Sequence, residues 1–294
     1  MSSVAPVRIS LPPPVIRVLA AAYRRSPLLG GHLRLAPPWV RRRLDGIDGD
    51  VMATLRNGVR IRVDPRDYNG RELLLFGAPD RRIVNLCRSL IRAGDCFLDL
   101  GANHGAVGLL CADLVGRDGA VHLVEPQPGL GERIAECLAS NPSLPVHLHR
   151  IGLWDSDGTL TMARPTGHSG AATFVTGVVD DATSDHLSVP VRDVSAWVRE
   201  VVGERTFGAK VDVEGAETII VPALMKMPNC RFVAFECKHG ETGRTIWDAA
   251  AAAGRPLRGL ERTAVRLRTT PIERLDDFGR QTDYVALAPG GPTK

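Results

Sequence analysis

Two short stretches hold the residues best suited to chemistry. The first is Asp99-Leu100-Gly101-Ala102-Asn103-His104-Gly105, with Glu125 placed 24 residues after Gly101. A Gly-x-x-x-Gly turn lets backbone amides approach a ligand closely. It lacks the G-x-G-x-x-G spacing, whose second glycine makes room for a pyrophosphate. Asp99 just before the turn would oppose a pyrophosphate and suit a ligand carrying an ammonium and a sulfonium. Glu125 could accept from both hydroxyls of a ribose, a feature shared with dinucleotide enzymes. The second stretch is Lys210-Val211-Asp212-Val213-Glu214-Gly215-Ala216-Glu217, with Glu236 and His239 further on. Strand geometry would put Asp212 and Glu214 on one face. Asp212, Glu214, Glu236 and His239 are therefore the candidates for taking a proton near neutral pH. Lys210 is expected to pair with one of these acids. Glu217 is expected in the first turn of a helix, where the dipole favours an acid. His168 is a weaker candidate, on a polar loop with Gly167 and Gly170 as hinges.

These groups need a scaffold that brings strand ends together, and the flanking pattern supplies one. Cys96–Leu100 is a compact apolar strand, and the glycine turn leads into a helix over His104–Val115. A strand over Ala120–Val124, a helix over Gly129–Ala139 and a strand over Val146–Ile151 follow. This β-α-β-α-β order predicts an α/β fold: a Rossmann-like, mostly parallel sheet with helices on both faces. Ligands in such sheets bind beyond the carboxyl ends of the strands. Both chemical stretches fall at such ends: Ala209–Val213 and Phe232–Phe235 read as strands, each followed by a helix. Tyr284–Ala288 reads as a last strand. Upstream, Asn57-Gly58 between alternating residues predicts a hairpin over 51–63. Asp80 should cap a helix running to Ala93.

The residues Phe97 to Gly105, Val124-Glu125-Pro126, Gly152-Leu153 with Asp155 and Gly158, and Lys210 to Glu217 together resemble the FkbM family of methyltransferases. The likeness runs from about Asp50 to Ala288. It implies a class I methyltransferase fold and methyl transfer from S-adenosylmethionine, mostly to hydroxyls of sugars, polyketides or related metabolites. It implies that Asp99, Gly101, Ala102, Asn103, His104, Gly105, Glu125, Gly152 and Leu153 bind the cofactor. His104 stands where the family usually has a small aliphatic residue, and Gly152 where it usually has Ala.

Composition narrows the remaining choices. Hydrophobic residues make up 44% of the 294, enough for a sizeable core. No run approaches the roughly 18 apolar residues of a membrane span. Cys87, Cys96, Cys111, Cys137, Cys230 and Cys237 are scattered without a C-x-x-C pair, which suggests a reducing cytosol and no zinc cluster. No compact ligand motif favours a metal, although the acids and His239 could hold a divalent ion. The net charge of +4 is uneven: eight arginines precede Gly46 against Asp45 alone. The expected organisation is a basic arm over 1–45, a hairpin and entry segment over 46–80, and a methyltransferase domain over 81–290. Trp39 and Val40 beside Arg41–Arg43 could give the arm a peripheral membrane contact. Nucleic acid is not an expected partner, because aromatics are only 5% and the N-P-P-[YF] signature is absent. The competing readings are an NAD-dependent oxidoreductase and a noncatalytic binding module on the same fold.

Overall fold

The structure, a computed structural model, describes residues 9–29, 36–165, 169–174, 184–237 and 241–290. Strand β1 (Ile9–Ser10) runs parallel to β2 (Asp50–Thr54), which turns back antiparallel into β3 (Arg60–Val63). Gly58 in this turn takes φ 90°, which glycine adopts without a Cβ clash. Helices α1 (Pro14–Arg25) and α2 (Pro38–Asp45) each carry Pro in the first turn, where its missing amide is no loss. Helix α1 packs against α3 (Tyr68–Phe76). Its Ile16 joins α2's Val40 and Leu44 in one apolar cluster with Ile61, Leu75 and Phe97 of the central sheet. The described part of the basic arm is thus built into the body through its apolar face.

The main sheet follows. It is made from β4 (Cys96–Leu100), β5 (Ala120–Val124), β6 (Val146–His149), β10 (Phe207–Val211), β11 (Cys230–Glu236), β12 (Leu257–Leu260), β13 (Thr269–Ile272) and β14 (Asp283–Leu287). Its order is β13-β12-β14-β11-β10-β4-β5-β6. Strands β6, β5, β4, β10 and β11 are parallel, and β14 is antiparallel to both β11 and β12. Strand β12 thus runs with the parallel set and the edge strand β13 against it; a reversed strand inserted before the last parallel one is the Rossmann-like class I methyltransferase arrangement. Side chains alternate across β4: Phe97 enters one apolar cluster, and Leu98 and Leu100 the other. The first cluster is closed by α4 (Arg81–Leu90), α5 (Ala106–Cys111) and α6 (Pro128–Ala139). The second is closed by α7 (Val194–Val202), α8 (Glu217–Met225) and α9 (Glu241–Ala252). Burial on both faces explains why the strands read as continuous apolar runs. A small second sheet, β7 (Gly152–Trp154), β9 (Ser184–Asp193) and β8 (Gly158–Pro165), lies beside it.

Several elements differ from the sequence expectation: β10 is Phe207–Val211 rather than Ala209–Val213, β6 ends at His149 rather than Ile151, and α4 ends at Leu90 rather than Ala93. Helix α5 stops at Cys111 rather than Val115, because Arg88 takes the Leu110 carbonyl and the Leu114 amide turns back to Cys111. Helix α3 was not foreseen. Leu73, Leu74, Leu75 and Phe76 are all buried, and four consecutive apolar residues show no helical period. Its cap is Asp67, which accepts from the Gly70 amide.

Candidate active site

The chain leaves β4 and β10 in opposite directions, so their neighbouring carboxyl ends form a switch point. There a cavity of about 480 Å³ opens, within the roughly 300–1,000 Å³ of small-molecule sites.

One end of the cavity is formed by Gly101, Ala102, Asn103 and His104. Gly101 has φ 71°, and a Cβ there would lie 1.8 Å from the Asp212 carbonyl oxygen. No other residue fits where the two strand ends meet. Asn103 also takes a left-handed φ of 52°, which asparagine tolerates. Its amide donates to Glu125 Oε2 at 2.7 Å, and the Gln127 amide donates to Oε1 at 2.9 Å. Glu125 is thereby aimed across the turn and lines the cavity. Burial pushes its carboxyl up to about 7, although both amides pull it down. His104 lies on the same wall at 2% exposure. Its Nδ1 meets Asn103 Oδ1, while its Nε2 has no partner. Burial lowers His104 to about 4, so the ring is neutral. Gln127 Oε1 is likewise buried without a partner. Gly152 and Leu153 line the wall next to Phe174, whose ring leaves no room for a Cβ on Gly152.

Two of the expected cofactor residues do not line the cavity. Asp99 has no exposed surface and does not line the cavity. It sits beneath the turn, accepting from the Gly108 amide at 2.8 Å and lying 3.4 Å from Lys210. Its carboxylate thus shapes the turn from beneath rather than forming the cavity wall. Gly105 is also off the wall: with φ 72°, its missing Cβ makes room for Leu123.

Lys210 joins the two chemical stretches. It donates to the Gly101 carbonyl at 2.8 Å and stands 3.4 Å from Asp99 and 3.5 Å from Asp212. Burial works against its charge, but Asp212 and Asp99 together hold it at about 12. Burial pushes Asp99 up, and Lys210 offsets part of this.

The other end of the cavity is acidic. Asp212 and Glu214 do not share a strand face as expected, because β10 ends at Val211 and Glu214 turns left-handed with φ 47°. The turn is braced by Glu217, whose carboxylate accepts from the Val213 and Gly215 amides. The turn still delivers its acids to one place. Carboxylate oxygens of Asp212, Glu214 and Glu236 all lie within 4.8 Å of one another, close enough to share a cation. Asp283, opposite Glu236 in the ladder, and Glu72 and Asp80 extend the acidic wall. Burial, with Asp80 nearby, pushes Glu72 up to about 7. Arg82 is 8% exposed on this wall, held by Asp80 and Asp283, with Nη1 lacking a partner. Reading the sequence missed Glu72 and Arg82, since α3 itself was missed and Arg82 looked like an ordinary first-turn residue. His239 and His168 lie outside the described residues.

A strap crosses the top. The Ser169 amide donates to Asp67, its carbonyl accepts from Gln127 Nε2 and its hydroxyl accepts from Asn103 Nδ2. Thr173 donates to the Glu214 carbonyl. Residues 169–174 thus touch both ends of the cavity.

No protein-family model matches the chain, and no curated relative does. Solved structures are similar in fold. A precorrin-6y C5,15-methyltransferase from Geobacter metallireducens is 10% identical, covering 71% of this chain and 87% of that one, with TM-score 0.40. Fibrillarin from Aeropyrum pernix, solved with bound S-adenosyl-L-methionine, is 14% identical over 70% and 73%, with TM-score 0.39. An S-adenosylmethionine-dependent O-methyltransferase from Thermotoga maritima is 13% identical over 82% and 92%, with TM-score 0.38.

Proposed function

We propose that this chain is an S-adenosylmethionine-dependent O-methyltransferase of the FkbM type, acting on a hydroxyl of a sugar, glycolipid or polyketide-type metabolite. The observation that carries the reading is the charge of the cavity. Seven acidic side chains line it (Glu72, Asp80, Glu125, Asp212, Glu214, Glu236 and Asp283) against Arg82 and Lys210, and the balance stays negative with Glu72 and Glu125, raised to about 7, only partly ionised. A wall of that sign favours a cationic sulfonium and ammonium, and repels the pyrophosphate of a dinucleotide. The residues present fit the cofactor in one further way. Gln127 Oε1 and His104 Nε2 are buried wall atoms still without partners, and such atoms are costly until a ligand satisfies them.

In this reading Glu125 accepts from the ribose hydroxyls, and the Gly101–His104 turn, with Gly152 and Leu153, encloses the nucleoside. S-adenosylmethionine, when bound, supplies an electrophilic methyl on sulfur. The chain's own task is to align an acceptor oxygen with it, and alignment can supply roughly 7–11 kcal/mol. Asp212, Glu214 and Glu236 stand where an acceptor hydroxyl would give up its proton. A general base there adds about 10²–10⁴-fold. The same three acids are close enough to share a divalent cation that would acidify the hydroxyl. Loss of activity on chelation, with recovery in magnesium, would select that version over a simple base.

The test is transfer of label from methyl-labelled S-adenosylmethionine into a metabolite and glycan extract. Asp212→Asn and Glu236→Gln should still bind the cofactor and transfer label about 10²-fold or more slowly. Label entering nucleic acid instead, or unchanged rates in both variants, would refute the assignment.

A further inference from the structure

Helix α1 has two faces, and only one is used by the fold. Ile16 and Ala20 are buried against the body. The opposite face carries Val15, Val18, Ala22 and Arg25 at helical spacing, all exposed, and Leu11 precedes them by four residues. Leu11 is 82% exposed, Val18 69%, Ile9 56% and Val15 42%. Seven large hydrophobic side chains are exposed among the described residues, and four of them fall within this ten-residue stretch. Scattered exposed apolar residues are ordinary, but a concentration of this kind marks a contact surface. Trp39, half-covered on α2, is less exposed than these, and Val40 is fully buried. The expected Trp39-Val40 wedge is therefore not the outward apolar surface, and α1 is.

The charges on this helix have one sign. Arg17 and Arg25 are exposed on α1, which contains no acid. Arg41, Arg42 and Arg43 are exposed on α2, Arg41 beside Asp45, and the exposed acid Asp48 lies against Ser10 at the start of the stretch. Between Ile9 and Leu44 the sequence has no Asp or Glu at all. A second copy of the chain would bring arginines against arginines across a two-fold contact, which opposes self-association. The surface is also a single outward helix face, not a groove, so it offers no pocket to a partner's side chains.

We propose that this face is a docking surface for an anionic lipid bilayer. Leu11, Val15 and Val18 enter the headgroup boundary, while Arg17 and Arg25 meet lipid phosphates. No helix among the described residues is long and apolar enough to cross a membrane, so the contact is peripheral. The inference is independent of the proposed reaction, because none of these residues lines the cavity.

Co-sedimentation of the full chain with vesicles decides it. Phosphatidylcholine vesicles containing a third phosphatidylglycerol should bind the protein at low salt, and pure phosphatidylcholine far less. Binding should fall by about tenfold or more near 1 M salt, where the screening length is about 3 Å. Two double variants separate the two contributions: Val15→Glu with Val18→Glu, and Arg17→Glu with Arg25→Glu. Each should lower anionic-vesicle binding by about tenfold or more, with an unchanged thermal unfolding midpoint showing that the fold persists. Failure of the wild type to bind anionic vesicles would overturn the proposal. So would variants that bind as the wild type does, or a wild-type dimer that the Val15/Val18 variant dissociates.

Discussion

Glu125 concentrates the argument at the residue scale. Its two oxygens take the Asn103 and Gln127 amides, so the residue holds the turn and faces the cavity at once. Glu125→Gln leaves one amide facing an NH2 group, which should cost about 1–3 kcal/mol of stability. Cofactor affinity should fall roughly tenfold to a hundredfold. Because burial raises the carboxyl to about 7, it is ionised, and the better acceptor, only above that pH. S-adenosylhomocysteine affinity should therefore rise between about pH 6 and 8 in the wild type and stay flat in the variant. A parallel rise in both would assign the pH effect elsewhere. Asp99 shows what sequence alone misassigns. Its place before the turn was legible, but its depth was not. The carboxylate that looked ready for an ammonium is completely buried and faces Lys210 instead.

Elements place these residues, and most of them were legible. Cys96–Leu100 and Ala120–Val124 match the observed β4 and β5 end for end. Buried parallel strands announce themselves through continuous apolar runs. What stayed hidden depends on contacts distant in sequence. Helix α3 lacks a periodic stripe because both of its sides are covered, and it carries Glu72 to the acidic wall. The acid trio was legible as residue types, but its convergence comes from the left-handed turn at Glu214. Glycines test the element that matters most. Gly101→Ala forces a left-handed alanine, at roughly 1–3 kcal/mol, and drives its Cβ into the Asp212 carbonyl. It should lose cofactor binding and stability together. Gly129→Ala, in α6, meets nothing within 4 Å. It should bind cofactor normally and gain up to about 1 kcal/mol from helix propensity. Equal effects of the two substitutions on calorimetric binding would contradict the role given to the turn.

The whole molecule stores its pH response in buried histidines. His122 stacks with His147, bonds His149 and meets Trp197. Burial, aided by His149 and His147, lowers His122 to about 3. Burial lowers His104 to about 4. In the unfolded chain these groups protonate near 6.5, so their contribution is full above that pH and is lost as pH falls toward 3 to 4. Glu125 and Glu72, raised to about 7, act oppositely: their contribution is present below about 4.5 and lost as pH rises through 7. The two trends oppose each other between 4.5 and 6.5, and below that the histidines dominate. Denaturant unfolding should show a steep acid loss, and His122→Phe should flatten it by up to about 3 kcal/mol at pH 4. An identical acid limb in the variant would remove His122 from the account. At the same scale, the sign of charge in the cavity decides which cofactor the fold serves. Titration calorimetry of the intact chain with S-adenosylhomocysteine and with NAD tests this most directly. Saturable heat with S-adenosylhomocysteine, weakened in Glu125→Gln, and none with NAD is the predicted result; tight NAD binding without adenosyl-ligand binding would contradict it.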